Sequence, residues 1–156
     1  MINITNSNVK AVRYTGKASA KGSSDTDLQI SFDNSVIGMT NKNVQTGDLV
    51  LVMSRQTGKS PSITMFAGRV GGYIEDDVTD WKEQGGLLWR NNWSIEPLST
   101  IQTFSQDDLT SLLGSYGTDW NYNIATTAMR SHGANESTIG ASRAKLMRHL
   151  LDNHSI

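Results

Sequence analysis

Asp48-Leu49-Val50-Leu51-Val52-Met53 is an almost continuous run of aliphatic and β-branched residues, opened by a turn at Gly47, and is the strongest strand signal in the chain. Arg55-Gln56-Thr57-Gly58-Lys59-Ser60-Pro61 follows as a polar, turn-rich stretch, and Ile63 to Val70 is a second apolar run. Two such runs across a turn predict a β-hairpin, which commits the chain to a sheet. Val9 to Thr15 and Leu28 to Phe32 alternate in polarity and predict two earlier strands, separated by a Gly-, Ser- and Lys-rich loop over 16–24. Trp93 to Leu98 and Thr100 to Phe104 complete the strand set. Short strands with frequent turns point to a small barrel or sandwich.

The last third changes character. Ser105-Gln106-Asp107-Asp108 places a capping hydroxyl and an acid three residues later, ahead of Leu109, Leu112 and Leu113, and Gly114 follows as a C-terminal stop. A second helix is predicted from about Thr138 to Asn153, with Ile139, Leu146, Met147, Leu150 and Leu151 on one face, and Asp119 to Arg130 reads as a third. The expectation is one α+β domain over 1–156: a small curved β-barrel over 1–104, with helices from 105–156 packed on one side.

Composition sets further bounds. Ser, Thr and Asn supply 45 of 156 residues while charged residues supply only 19%, which excludes a coiled coil, a collagen-like chain and a charge-rich disordered protein. Cysteine is absent, so disulfide and zinc-thiolate chemistry are excluded. No apolar run is long enough to span a membrane and the first thirty residues carry no signal-peptide pattern, so a cytoplasmic protein without membrane contacts is expected. A formal net charge of −1 argues against coating nucleic acid by charge alone. The charges are nevertheless segregated. Lys10, Arg13, Lys17 and Lys21 precede the first acid, Asp25, and Arg130, Arg143, Lys145 and Arg148 cluster near the end. Glu75, Asp76, Asp77, Asp80 and Glu83 form an acidic block. A folded chain of this kind can present one basic face.

Catalytic patterns are weak. Thr57-Gly58-Lys59-Ser60 has the ending of a phosphate-binding loop, but Met53 stands where a glycine is needed and Pro61 leads into a strand. Asp80-Trp81-Lys82 has the acid-x-Lys form of a metal-dependent nuclease, in a loop-like setting. His149 and His154 are five apart, a spacing that does not put two ligands on one helical face. No catalytic residue, metal site or cofactor is therefore expected.

The segment 81–93 stands out, because three of the four tryptophans, Trp81, Trp89 and Trp93, fall within thirteen residues beside Lys82, Arg90, Asn91 and Asn92. Indole faces stack on unpaired bases, amides read base edges and guanidinium groups pair with phosphates. In a core poor in apolar residues the same tryptophans also serve as packing anchors, and Trp89 and Trp93 would share a strand face. The candidate interface comprises Trp81, Trp89 and Trp93, with Met53 and Phe66 as further apolar walls. Asn91 and Asn92 would read polar edges, and Arg55, Lys59, Arg69 and Arg90 would hold phosphates.

From about Val36 to Phe104 the sequence resembles the PUA-like superfamily, and within it the EVE-type domains. Val44-Gln45-Thr46-Gly47-Asp48-Leu49-Val50-Leu51-Val52 looks like the family's Gly-Asp turn into a central strand. Phe66-Ala67-Gly68-Arg69-Val70 looks like the next strand, and Trp89 to Trp93 followed by Ile95-Glu96-Pro97-Leu98 looks like the later strand ending in Pro-Leu. The resemblance implies a curved barrel with a pocket for a nucleotide, often one with a modified or flipped base, in RNA or DNA. It leaves the N-terminal strands and the helical last third unmatched. The expected function is non-catalytic nucleic-acid binding, as a standalone reader or blocker. The alternatives are a protein-binding inhibitor of phage or mobile-element type, acting through the acidic block, and a metal-dependent nuclease using Asp80 and Lys82.

Overall fold

The computed structural model describes residues 2–14, 23–56, 62–76, 79–82, 88–114 and 136–156. The elements run β1 (Val9–Tyr14), α1 (Ser23–Asn34), β2 (Val36–Met39), β3 (Leu49–Gln56), β4 (Ser62–Ile74), β5 (Asn91–Pro97), β6 (Gln102–Ser105), α2 (Gln106–Leu113) and α3 (Glu136–His154). They form an α+β fold on one six-stranded mixed sheet. Strand order is β1-β3-β4-β5-β2, with β6 on β4, and only β1 and β3 run parallel.

The predicted hairpin is the centre of this sheet, with β3 and β4 paired from Leu49 opposite Arg69 to Gln56 opposite Ser62. Its entry is a tight turn. Gly47 adopts φ +93°, a backbone state costly for any side chain but glycine, and its N–H donates to the Val70 carbonyl at 2.8 Å. The Asp48 carboxylate accepts the Gln45 N–H at 2.9 Å, so the Gly-Asp pair fixes both the turn and the register of the strand that follows.

β4 carries two partners on one edge. β6 pairs with Ser62 to Met65 and β5 with Gly68 to Ile74, while the Ser99 hydroxyl accepts the Ala67 N–H at 2.8 Å in the bend between them. A register shift between Val70 and Tyr73 bends β4 at Gly71 and Gly72. Gly71 is required there by contact, since a Cβ would come within 2.4 Å of the Ser94 hydroxyl.

Alternate residues of the strands feed two separate cores. Leu49, Leu51, Met53, Ile63, Met65 and Ala67 pack under α2 and α3 through Leu109, Leu146, Met147 and Leu150. Val12, Val50, Val52, Phe66, Val70 and Ile95 face the other way and pack with Leu28 of α1 and with Trp81, Trp89 and Trp93.

Two expectations are corrected. Leu28 to Phe32 is helix, not strand: Asp27, Leu28 and Ser31 are fully or almost fully buried, a helical spacing that the alternation of Leu28, Ile30 and Phe32 conceals. Helices consequently lie on both faces of the sheet, not on one side, because α1 covers the face opposite α2 and α3. The sheet itself is open, with β1 and β2 at the ends of the hydrogen-bonded path.

The helices of the last third match their signals. Ser105 caps α2 by accepting the Asp108 N–H at 3.1 Å, while the Asp108 carboxylate accepts the Ser105 N–H at 2.9 Å. These hydrogen bonds hold the Asp108 carboxyl below its ordinary value, so this stabilisation is present above the unfolded-state value and fades as pH falls through the folded one. Ser105→Ala is expected to lower stability by about 1 kcal/mol in a urea titration. The expected helix over 119–130 and residues 16–22 of the expected loop over 16–24 lie outside the described residues, while Ser23 and Ser24 open α1 instead of ending that loop.

Candidate nucleic-acid interface

All three clustered indoles are interior. Trp81, Trp89 and Trp93 are 3%, 6% and 5% exposed, and each belongs to the core beneath α1. Trp81 and Trp89 pack on Tyr14 at the end of β1, with ring centroids 5.5 and 5.1 Å away. Both also press on Gly38 of β2, where a Cβ would stand 2.6 Å from the Trp89 Cβ and 3.0 Å from the Trp81 ring.

The polar atoms of this cluster close on one another. The Trp81 indole N–H donates to Asn92 Oδ1 at 2.8 Å, and the Asn92 amide donates to the Trp89 carbonyl at 3.2 Å. The Trp89 indole donates to Asp27 Oδ2 at 3.0 Å, and the Lys82 N–H to Asp27 Oδ1 at 2.6 Å. Asp27 is a fully buried carboxylate on α1 that ties the segment 79–82 and Trp89 to the helix. Burial pushes the Tyr14 hydroxyl well above the usual phenol range, so it stays protonated; it accepts the Gly38 N–H at 3.2 Å.

Sequence reasoning missed Asp27 and Tyr14. Asp27 was concealed because the strand expected over Leu28 to Phe32 begins just after it; placed on a helix, it falls on the same face as Leu28 and Ser31. Tyr14 carried no signal beyond its place at the end of an alternating run.

The remaining candidates are divided. Asn92 is buried, whereas Asn91 is half-buried and Arg90 and Arg69 are exposed. Arg69 pairs across the sheet with Glu96 at 2.9 Å. Arg55 lies on β3 opposite Ile63, and Lys59 lies outside the described residues. Met53 and Phe66 cannot wall one pocket, because neighbouring residues of the hairpin send them into opposite cores.

One aromatic side chain does reach the surface at this end of the sheet. Tyr73 is 41% exposed, stands on Trp93 with centroids 5.0 Å apart, and donates its hydroxyl to Asn91 Oδ1 at 3.2 Å. The Lys42 ammonium lies 4.7 Å from the Tyr73 ring centroid, within cation–π range. Trp93 therefore acts as a buried support for an exposed ring flanked by an amide and a cation.

The acid-x-Lys pair has a different fate. Asp80 and Lys82 form an exposed ion pair at 2.6 Å, and among the described residues no three His, Asp or Glu side chains are grouped to hold a metal ion. Glu75 and Asp76 are exposed, while Asp77 and Glu83 lie outside the described residues. The rings of His149 and His154 meet at 5.6 Å in the last turns of α3 despite their five-residue spacing. No helix among the described residues is long and apolar enough to cross a membrane.

The chain is thus an α+β protein in which Trp93 braces, from within, a surface carrying Tyr73, Asn91 and Lys42. Comparison with protein-family models, curated proteins and solved structures found no match.

Proposed function

We propose that this protein binds nucleic acid without catalysing a reaction, stacking an unpaired base on Tyr73. One observation carries the reading: an exposed aromatic ring, backed by a buried indole, sits beside an amide and a cation. That set is what base stacking and phosphate contact require. The base displaces the Lys42 ammonium from the ring, and the released cation meets the phosphate. Asn91 offers its amide to the base edge and Arg90 adds a second cation at the rim.

The same reading takes the domain to be a PUA-like, incompletely closed barrel. Its support is the contact between Tyr14 on one edge strand and Gly38 on the other, which requires the open sheet to curl until its two edges approach. In this arrangement the Tyr14–Trp81–Trp89 cluster fills the place between the edges, with its own hydrogen bonds satisfied.

The test is tryptophan emission titrated with single- and double-stranded DNA and RNA, plain and base-modified, at two salt concentrations. Trp93, 5.0 Å from Tyr73, reports on stacking. Tyr73→Ala is expected to weaken single-strand binding by about 1–3 kcal/mol while leaving the thermal midpoint unchanged. A selective response to a modified base would identify the recognised nucleotide. No emission change at low salt overturns the proposal and directs attention to a protein partner for the acidic stretch around Glu75, Asp76 and Asp80.

A further inference from the structure

The histidine pair at the end of α3 belongs to the face of the sheet opposite the tryptophans. His149 and His154 are five residues apart, yet their rings meet with centroids 5.6 Å apart and planes at 61°. The course of the chain beyond the helix holds this geometry. The His154 carbonyl accepts the Thr100 N–H at 2.9 Å, Ser155 bridges to Ser99, and the Ile156 N–H donates to the Leu98 carbonyl at 3.2 Å. On its other side the His149 ring meets Phe104 of β6 edge-on, with centroids 5.8 Å apart. Both histidines are half-buried, so each keeps part of its surface in solvent.

The protonation of one ring follows from its neighbour. Asn153 Nδ2 donates to the His149 carbonyl at 3.0 Å and lies 3.3 Å from His149 Nδ1. An amide nitrogen does not accept a hydrogen bond, so Nδ1 is the acceptor and the proton of the neutral ring sits on Nε2. His149 therefore presents an unprotonated Nδ1 in the last turn of α3, covered only by a long contact. Displacing that contact leaves Asn153 its shorter bond to the carbonyl. Metal–imidazole bonds of about 2.0–2.1 Å place two rings on one tetrahedral ion with centroids about 5 Å apart, close to the separation found here.

We infer that His149 and His154 together hold a divalent transition-metal ion, through His149 Nδ1 and a ring nitrogen of His154 turned toward it, with water completing the coordination. Imidazole nitrogen suits Cu²⁺, Ni²⁺ and Zn²⁺, whereas Mg²⁺ and Ca²⁺ take oxygen ligands. The ion ties the last residue of α3 to the turn before it, and so fastens a helix end that Thr100 already holds. The inference draws nothing from nucleic-acid binding at Tyr73.

The test is a Zn²⁺ titration of the whole chain, followed through the ring nitrogen signals of its histidines by NMR. The His149 and His154 rings are expected to shift along one saturation curve, with no such shift in Mg²⁺. His149→Gln and His154→Gln are each expected to weaken Zn²⁺ binding at least about tenfold. Asn153→Ala uncovers Nδ1 without removing a ligand and is expected to bind at least as tightly as the wild type. Separate curves for the two rings, no saturable shift, or an affinity unchanged in His154→Gln overturns the inference and leaves a packing contact only. A loss in Asn153→Ala as large as in the histidine variants also overturns it, because the effect would then trace to the helix end and not to the ligands.

Discussion

Trp89→Ala is expected to destabilise the whole domain by about 3–5 kcal/mol, read as a lowered urea midpoint. Its indole is 6% exposed, meets Tyr14 edge-on at 72°, and donates to the buried Asp27 carboxylate. Removing it opens a cavity between β2 and the end of β1 and takes a donor from a buried carboxyl oxygen. Trp89→Phe separates the two losses: most of the ring remains, the N–H goes, and a smaller cost of about 1–3 kcal/mol is expected. Unchanged stability in Trp89→Ala, with nucleic-acid binding lost, would return the indole to the role of a ligand wall.

Asp27→Ala is expected to be comparably severe. Its two carboxyl oxygens accept from the buried Trp89 indole and from the part-buried Lys82 N–H. The indole donor left buried and unpaired costs about 1–3 kcal/mol, and the part-buried Lys82 N–H adds a smaller loss. Asp27→Asn retains one acceptor oxygen and should fall between wild type and alanine. In a double-mutant cycle with Trp89→Phe the two losses should not add, because both changes remove the same hydrogen bond. Additive losses would show that Asp27 acts on the segment 79–82 alone.

The central hairpin and the last helices were legible because their signals are local. Gly47-Asp48 sets a turn through its own backbone and side chain, and Ser105 and Asp108 cap a helix within four residues of chain. Helix α1 was illegible for the opposite reason. Leu28, Ile30 and Phe32 give an alternation that suits a strand, while the burial that makes the segment helical falls on two polar residues, Asp27 and Ser31. Ser31 is held by the Val36 carbonyl of β2, five residues on, but the burial of Asp27 depends on a partner far away in sequence, the indole of Trp89. The tryptophan cluster was correctly singled out as unusual. Whether an indole faces inward or outward, however, depends on such distant partners, and spacing does not encode them. Tyr73 was passed over because a lone tyrosine after two glycines looks like ordinary turn chemistry.

The two cores also differ in when they can be completed. On one face, Leu49, Leu51, Met53, Ile63, Met65 and Ala67 are covered by Leu146, Met147 and Leu150 of α3, about eighty to a hundred residues later in the chain. As the polypeptide leaves the ribosome, the sheet can pair while that face carries α2 but still lacks α3, a state prone to association with other chains. A product ending before Glu136 leaves the part of this face that α3 covers without its cover. Its expected fate is capture by chaperones or precipitation, even though every strand it needs is already present.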